Sequence, residues 1–208
     1  MNNEREKIEQ ILNKNEITEQ EEKLIFDIIP ELKEEKNFPQ NNPWHIYDVW
    51  GHTKKVLQNS KVDIEIRLVL LLHDIGKPYS YQDDENKIRH FRGHSQKSAE
   101  ISKPILQRLG YKEEQIKEMC FLIENHDKTI QPEIIEVDKL EIYKKLLYIQ
   151  YCDASGYNPE YIQRVFERLD KIHSCLKEYE KNNINRKIKE ERWMLKNYNT
   201  FKGVKYEI

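Results

Sequence analysis

The 208-residue chain is poor in the residues that break or staple a fold, with six glycines, seven prolines and three cysteines. So little glycine and proline argues against an all-β arrangement of short strands and tight turns, and points to helices. Cys120, Cys152 and Cys175 are odd in number, lie far apart and form no CxxC pair. That excludes a disulfide framework and a thiolate zinc site, and fits a reducing cytoplasm. No apolar run approaches the roughly 20 residues that a membrane span requires, and "MNNEREKIEQ" leads into no secretion-type apolar segment. A membrane partner is not expected. Nor does one sign of charge dominate: 35 Lys and Arg stand against 37 Asp and Glu, a formal net charge of -2. Such a balance supplies no field able to recruit nucleic acid or a membrane surface by itself.

What the chain does have is helical periodicity. Charged residues make up 35% and apolar residues 38%, and the length suits one domain. Ile8, Ile11 and Leu12, then Leu24, Ile25, Ile28 and Ile29 up to Pro30, mark two amphipathic helices, with Thr18 and Glu21 spaced as a capping box for the second. The proline- and asparagine-rich "NFPQNNPW" reads as a loop. Further helices are predicted from Tyr47 to about Asn59, and from an N-cap at Asp63 to Lys77, where Pro78 stops the helix. Others run from Ser95 to Leu109, bent at Pro104 and closed by Gly110, then over 113–125 and 139–154, and onward from Pro159. Between Tyr79 and Phe91, "YSYQDDENKIRHF" holds a polar turn between two short arms that can pair as a small β-hairpin. The fold class is all-α, a single helical bundle with that hairpin near 79–91. Residues 1–42 form an N-terminal helical extension, 43–180 the main domain, and 181–208 a charged tail or a helix packing on it.

Chemistry concentrates at "RLVLLLHDIGKP", Arg67 to Pro78. Five apolar residues, Leu68 to Leu72, run into His73 and Asp74, neighbours about 100° apart on a helix that can lean toward one point. A buried carboxylate without a partner costs several kcal/mol, roughly, and a divalent cation removes that penalty while taking a neutral imidazole as a second ligand. His52 on the preceding helix and Asp153 in "YCDASG" are candidates for the rest of the shell. His94 in "FRGHSQ" and His126 in "IENHDK" add enough donors for two metals, with Asp74 placed to bridge. Lys77 either faces the same cleft to stabilise phosphate charge or is a helix C-terminal lysine favoured by the macrodipole. Asp48 lies four residues before His52, so it either accepts from that ring's outer nitrogen or is an N-terminal helix carboxylate. His45, Arg89, His90 and Arg92 can reach a substrate phosphate or a leaving group, or are ordinary loop residues. His173 sits in a charged helix and reads as structural.

The blocks "DVWGHT", "LLLHDIGKP" and "YCDASG" occur in an order that resembles the HD superfamily of metal-dependent phosphohydrolases. With "FRGHSQ" and "IENHDK" added, the text over Pro43 to Gly156 is similar to the HDIG-type domain attached to CCA-adding nucleotidyltransferases. Here the expectation is a stand-alone domain, with no upstream length for the nucleotidyltransferase unit. The resemblance implies that His52, His73, Asp74 and Asp153 bind a first metal, with His94 and His126 serving a second that Asp74 bridges. Asp127 stands where some two-metal relatives carry a second histidine, which implies a weaker or differently completed second site. The implied cofactor is one or two divalent ions, manganese, iron, cobalt, nickel or zinc, with magnesium less suited to histidine. The implied activity is hydrolysis of a phosphomonoester or phosphodiester, nucleotide-like or an RNA end, by a metal-activated water. A non-catalytic metal-containing binding module or RNA-accessory module is the competing reading.

Overall fold

The computed structural model describes residues 3–61, 63–131 and 139–182. Helices α1 (Asn3–Leu12) and α2 (Glu19–Ile28) form the opening pair. The capping box at Thr18 is made in both directions: its hydroxyl accepts from the Glu21 amide at 3.3 Å, and the Glu21 carboxylate accepts from the Thr18 amide at 2.9 Å. A 3-10 turn, Pro30–Glu35, leads through the asparagine-rich loop to α3 (Val49–Asn59) and α4 (Ile64–Leu72). After a second 3-10 turn at Lys77–Tyr79, β1 (Gln82–Asp83) and β2 (Arg89–His90) pair antiparallel, Gln82 opposite His90. Then come α5 (His94–Arg108), α6 (Glu113–Asn125), α7 (Leu140–Ala154) and α8 (Pro159–Asn182). The fold is all-α with one small hairpin among the described residues.

Helix α4 is the axis of the bundle. Every residue from Ile66 to Leu72 is buried, the pattern of a helix apolar on all sides and enclosed by others. It packs against α1, α3, α6 and α7, while α5 lies along α6 and α8 along α7. Ile8, Leu12, Ile25 and Ile29 of the opening pair share one apolar core with Trp50, Leu68 and Leu71. The one cation on α4, Arg67, donates to the Ser60 carbonyl and hydroxyl and to the Lys14 carbonyl, which ties the opening pair to the axis.

The sequence places the end of α4 at Lys77, but the helix stops at Leu72. The His73 Nδ1 donates to the Leu70 carbonyl at 2.7 Å, the oxygen that Asp74 would use to continue an α-helix, and Pro78 would clash with the Asp74 carbonyl of a continued helix. The chain tightens instead into three-residue turns, with Ile75 and Lys77 amides on the Leu72 and Asp74 carbonyls. Gly76 then comes so close to α5 that a Cβ would lie 2.5 Å from the His94 carbonyl oxygen and the Ser98 nitrogen. That contact, with the Gly76 amide on the Ser98 hydroxyl at 2.9 Å, brings the start of α5 beside Asp74. Gly110 closes α5 with φ +78°, as a left-handed cap requires. The loop after Pro132 and the tail beyond Asn182 lie outside the described residues. Among those described, no helix is long and apolar enough to cross a membrane.

Candidate metal centre

Five helices deliver six side chains to one interior point. His52 comes from α3, His73 and Asp74 from the tight turn after α4, His94 from the first position of α5, His126 from the end of α6 and Asp153 from the end of α7. All six are buried. Asp74 divides them. Its Oδ2 lies 3.3 Å from His73 Nε2 and 3.6 Å from His52 Nε2, and Asp153 Oδ1 closes that side at 2.8 Å from His52 Nε2 and 3.6 Å from His73 Nε2. Its Oδ1 faces the other way, 3.3 Å from His94 Nε2 and 3.7 Å from His126 Nε2. Three overlapping triads, His52/His73/Asp74, His73/His126/Asp153 and Asp74/His94/His126, each keep their donor atoms within 4.8 Å of one another.

The outward nitrogens decide what the inward ones can do. Nδ1 of His73, His94 and His126 lies 2.7, 2.8 and 2.7 Å from the carbonyl three residues earlier, and His52 Nδ1 lies 3.2 Å from the Gly156 carbonyl. A carbonyl only accepts, so each Nδ1 carries a proton, and a ring that takes no second proton turns an Nε2 lone pair inward. His73 Nε2 and both Asp74 oxygens are buried without a hydrogen-bonding partner among the described residues. Protein groups alone can fill this gap only with protons. Burial disfavours charge on His73, yet the Asp74 and Asp153 carboxylates outweigh it and hold the ring up at about 10. Burial opposes ionisation of both carboxylates too, and the neighbouring imidazoles still pull each well below the usual range. Burial and the His73 and His94 charges push His126 down to about 4. A divalent cation satisfies the same lone pairs without protonating any ring, and a sulfur-free set of imidazoles and carboxylates suits manganese, iron, cobalt, nickel or zinc. The residues fit such an ion.

A second layer holds these ligands in place. Gly156 lets its carbonyl reach His52, since a Cβ there would lie 2.7 Å from His52 Nδ1. The Tyr157 hydroxyl donates to Asp153 Oδ2 at 2.8 Å. Lys77 donates to Gln40 at 2.8 Å and sets its ammonium 2.6 Å from Asp74 Oδ2, a charge contact rather than an aligned hydrogen bond. Its 3-10 turn, not a continued helix, carries it there. Glu35, wholly buried, accepts from Thr53 Oγ1 at 3.3 Å, and burial together with the Asp74 charge pushes its carboxyl up to about 8. Gln40, Glu35 and Tyr157 escaped the sequence reading. Tyr157 carried a usable signal, four residues after Asp153; Gln40 in a loop and Glu35 in "KEEK" carried none.

The centre opens into a cleft of about 480 Å³, within the range of small-molecule sites. His45 lines it with its ring edge-on to His52, 4.9 Å between centroids; burial and the Lys77 and His52 charges push it well below its ordinary value, so it is neutral. His90 and Arg92 lie on the rim, His90 with Nε2 3.1 Å from Asp84. Asp127 also sits at the mouth, 3.9 Å from His94 Nδ1.

Two expectations are corrected. Arg89 lines the cleft, but its guanidinium is forked on Asp83 at 2.7 and 3.0 Å, donates to the Pro39 carbonyl and lies over Tyr81. Those contacts commit it to the hairpin. Asp48 does not reach the His52 ring: its Oδ1 accepts from the Gly51 amide at 2.6 Å and its Oδ2 from the Asn37 amide at 2.7 Å. It caps α3, and the Gly156 carbonyl takes the place expected of it.

A helical bundle with buried histidines and aspartates in two half-sites sharing one carboxylate defines a class of metal-dependent enzyme scaffold. The HD domain family matches residues 45–157, more than half of the chain, and the chain belongs to that family. Membership places it in a superfamily of metal-dependent hydrolases whose domains bind divalent metals. Over 109 residues it is 32% identical to the A-adding tRNA nucleotidyltransferase of Deinococcus radiodurans, covering 50% of this chain and 25% of that protein. The chain thus spans about a quarter of that relative's length.

Proposed function

We propose that the protein is a metal-dependent phosphohydrolase acting on a phosphomonoester or phosphodiester of a nucleotide-like or RNA-end substrate. One observation carries this reading: Asp74 lies between two sets of inward lone pairs, with both oxygens buried and, among the described residues, a charge contact from Lys77 but no hydrogen bond to either. His52, His73, Asp74 and Asp153 on one side, and Asp74, His94 and His126 on the other, would hold divalent cations, whose chemistry when bound would be to acidify water and to act as a Lewis acid toward a phosphoryl group. The protein's own groups position the ester. Lys77 keeps a positive charge at the inner wall, where charge developing on phosphate oxygens is stabilised. His45, held neutral by burial, lines the cleft where the leaving group would lie. Arg92 and His90 meet the phosphate from the rim.

The nucleotide-like substrate is supported by the tRNA named for the relative. Residues 43–180 form the metal domain in this reading, with 1–42 as an extension that completes its core. The three cysteines, all free, favour the cytoplasm as its compartment. The test is turnover of nucleoside monophosphates, nucleoside 2′,3′-cyclic phosphates and RNA ends with manganese, nickel or magnesium. Turnover that disappears in Asp74→Ala is expected. No turnover of any ester with any metal would contradict the proposal, and metal binding without turnover would support a non-catalytic metal-containing module instead.

A further inference from the structure

We infer that Trp44 is a specificity-determining residue, an aromatic platform that stacks the base of a nucleotide whose phosphate lies at the metal centre. The inference rests on the hydrolase reading for the phosphate and on separate geometry for the base.

Trp44 directly precedes His45 and lines the same cleft. It is a large apolar ring left 40% exposed, and it is not on a loose segment. Its carbonyl accepts from the Asn158 amide at 2.7 Å, the neighbouring Pro43 carbonyl accepts from Asn158 Nδ2 at 3.0 Å, and its own amide donates to Asn42 Oδ1 at 3.1 Å. Asn158 lies in the turn between α7 and α8, so the loop is tied to a segment more than a hundred residues along the chain. The indole is backed by Tyr161, with centroids 4.5 Å apart and planes 38° apart. That contact supports a ring that lines the cleft and is still 40% exposed.

The placement matches a ligand with a phosphate at one end and a ring at the other. From Trp44 one step of 6.4 Å reaches the Tyr157 ring, and a second of 6.0 Å reaches His52, on which Tyr157 is stacked. Ile88 and Phe91 line the cleft as well and add apolar surface, while Lys77 and Arg92 supply positive charge. Stacking is tolerant of base identity, because every base has a π-face. Trp44 is therefore expected to separate base-bearing from base-free phosphates, with little discrimination among bases.

The experiment compares kcat/KM for adenosine 5′-monophosphate and 2′,3′-cyclic monophosphate with that for ribose 5-phosphate, in wild type, Trp44→Ala and Trp44→Phe. Removal of a stacking aromatic is expected to lower kcat/KM for the adenosine esters about ten- to a hundredfold, mainly through KM. Ribose 5-phosphate should be unaffected, and Trp44→Phe should retain most of the preference. An equal loss on all substrates, or an unchanged ratio, overturns the inference. If wild type hydrolyses none of these three esters, they are not its substrates, the wider ester panel decides the hydrolase reading, and calorimetric binding of adenosine 5′-monophosphate still decides the role of Trp44. Binding weakened in Trp44→Ala and kept in Trp44→Phe supports the platform; equal binding by all three proteins, or none by wild type, overturns it.

Discussion

Two buried carboxylates flank helix α3, and they are treated in opposite ways. Glu22, facing Trp50, accepts from the indole Nε1 at 2.6 Å, from Lys54 at 2.9 Å and from Lys36 at 2.5 Å. Both lysines lie along the surface with their side chains partly exposed, keeping their stems on apolar neighbours and their charge near water. Asp74, facing His52 two residues along from Trp50, has one ammonium beside it and four imidazole nitrogens that offer lone pairs in their neutral form. Burial opposes ionisation at both positions. At Glu22 the protein's own donors overcome it and hold the carboxyl at about 2. At Asp74 one ammonium and four imidazoles, which help only when protonated, surround the carboxylate, an arrangement that a divalent cation would complete. A satisfied cluster belongs to the fold, and an unsatisfied one marks a site.

Substitutions that separate the two clusters sharpen this contrast. Asp74→Asn removes the carboxylate that the two candidate half-sites share, and divalent-ion affinity measured by calorimetry should fall by more than about a hundredfold, beyond the effect of losing a mere supporting partner. The rise in melting temperature on adding manganese, expected for wild type by linkage, should vanish with it. Gly156→Ala drives a Cβ to within 2.7 Å of His52 Nδ1 and 2.9 Å of Val56 Cγ2. It should cost about 1–3 kcal/mol in denaturant unfolding and also weaken metal binding, because the ring it displaces is a candidate ligand.

Glu22→Ala should do the reverse. It leaves the Trp50 N–H without its acceptor, costs about 1–3 kcal/mol, and leaves metal binding unchanged. Its pH dependence has a definite sign. The Glu22 carboxyl is depressed to about 2 in the folded protein against roughly 4.3 unfolded, so its stabilisation is fully present above the unfolded value and is lost as pH falls toward 2. The wild-type-minus-variant stability difference should shrink over that acid range. The smallest effect is expected for Asp48→Ala, about 1 kcal/mol from loss of the α3 cap, with metal content intact; a fall in metal affinity would return Asp48 to the role that the sequence suggested.

Much of the bundle could be read from periodicity, because α1, α2, α6, α7 and α8 each repeat apolar residues at helical spacing. The end of α4 could not. There the His73 ring competes for a backbone carbonyl, a tertiary choice that leaves no periodic trace. The six candidate ligands stood out because imidazoles and acids at the ends of apolar stripes are costly unless something uses them. Asp48 was left with two roles because four-residue spacing puts two side chains within reach but does not say which partner wins. The N-cap position put two backbone amides closer than any ring. Arg89 could be placed on the rim, but its forked pairing with Asp83 depends on the hairpin register. Glu35 stayed invisible in a run of charges that looks solvent-facing, and only the packing of its turn beneath α3 reveals a wholly buried carboxyl.

The most direct measurement is the divalent-ion content of protein stripped with chelator, dialysed against manganese or nickel and analysed element by element, with Asp74→Asn carried alongside. One or two ions per chain in wild type, lost from the variant, is the expected result. A wild-type protein that retains no ion, or a variant that retains as many as wild type, would contradict a metal centre organised around Asp74.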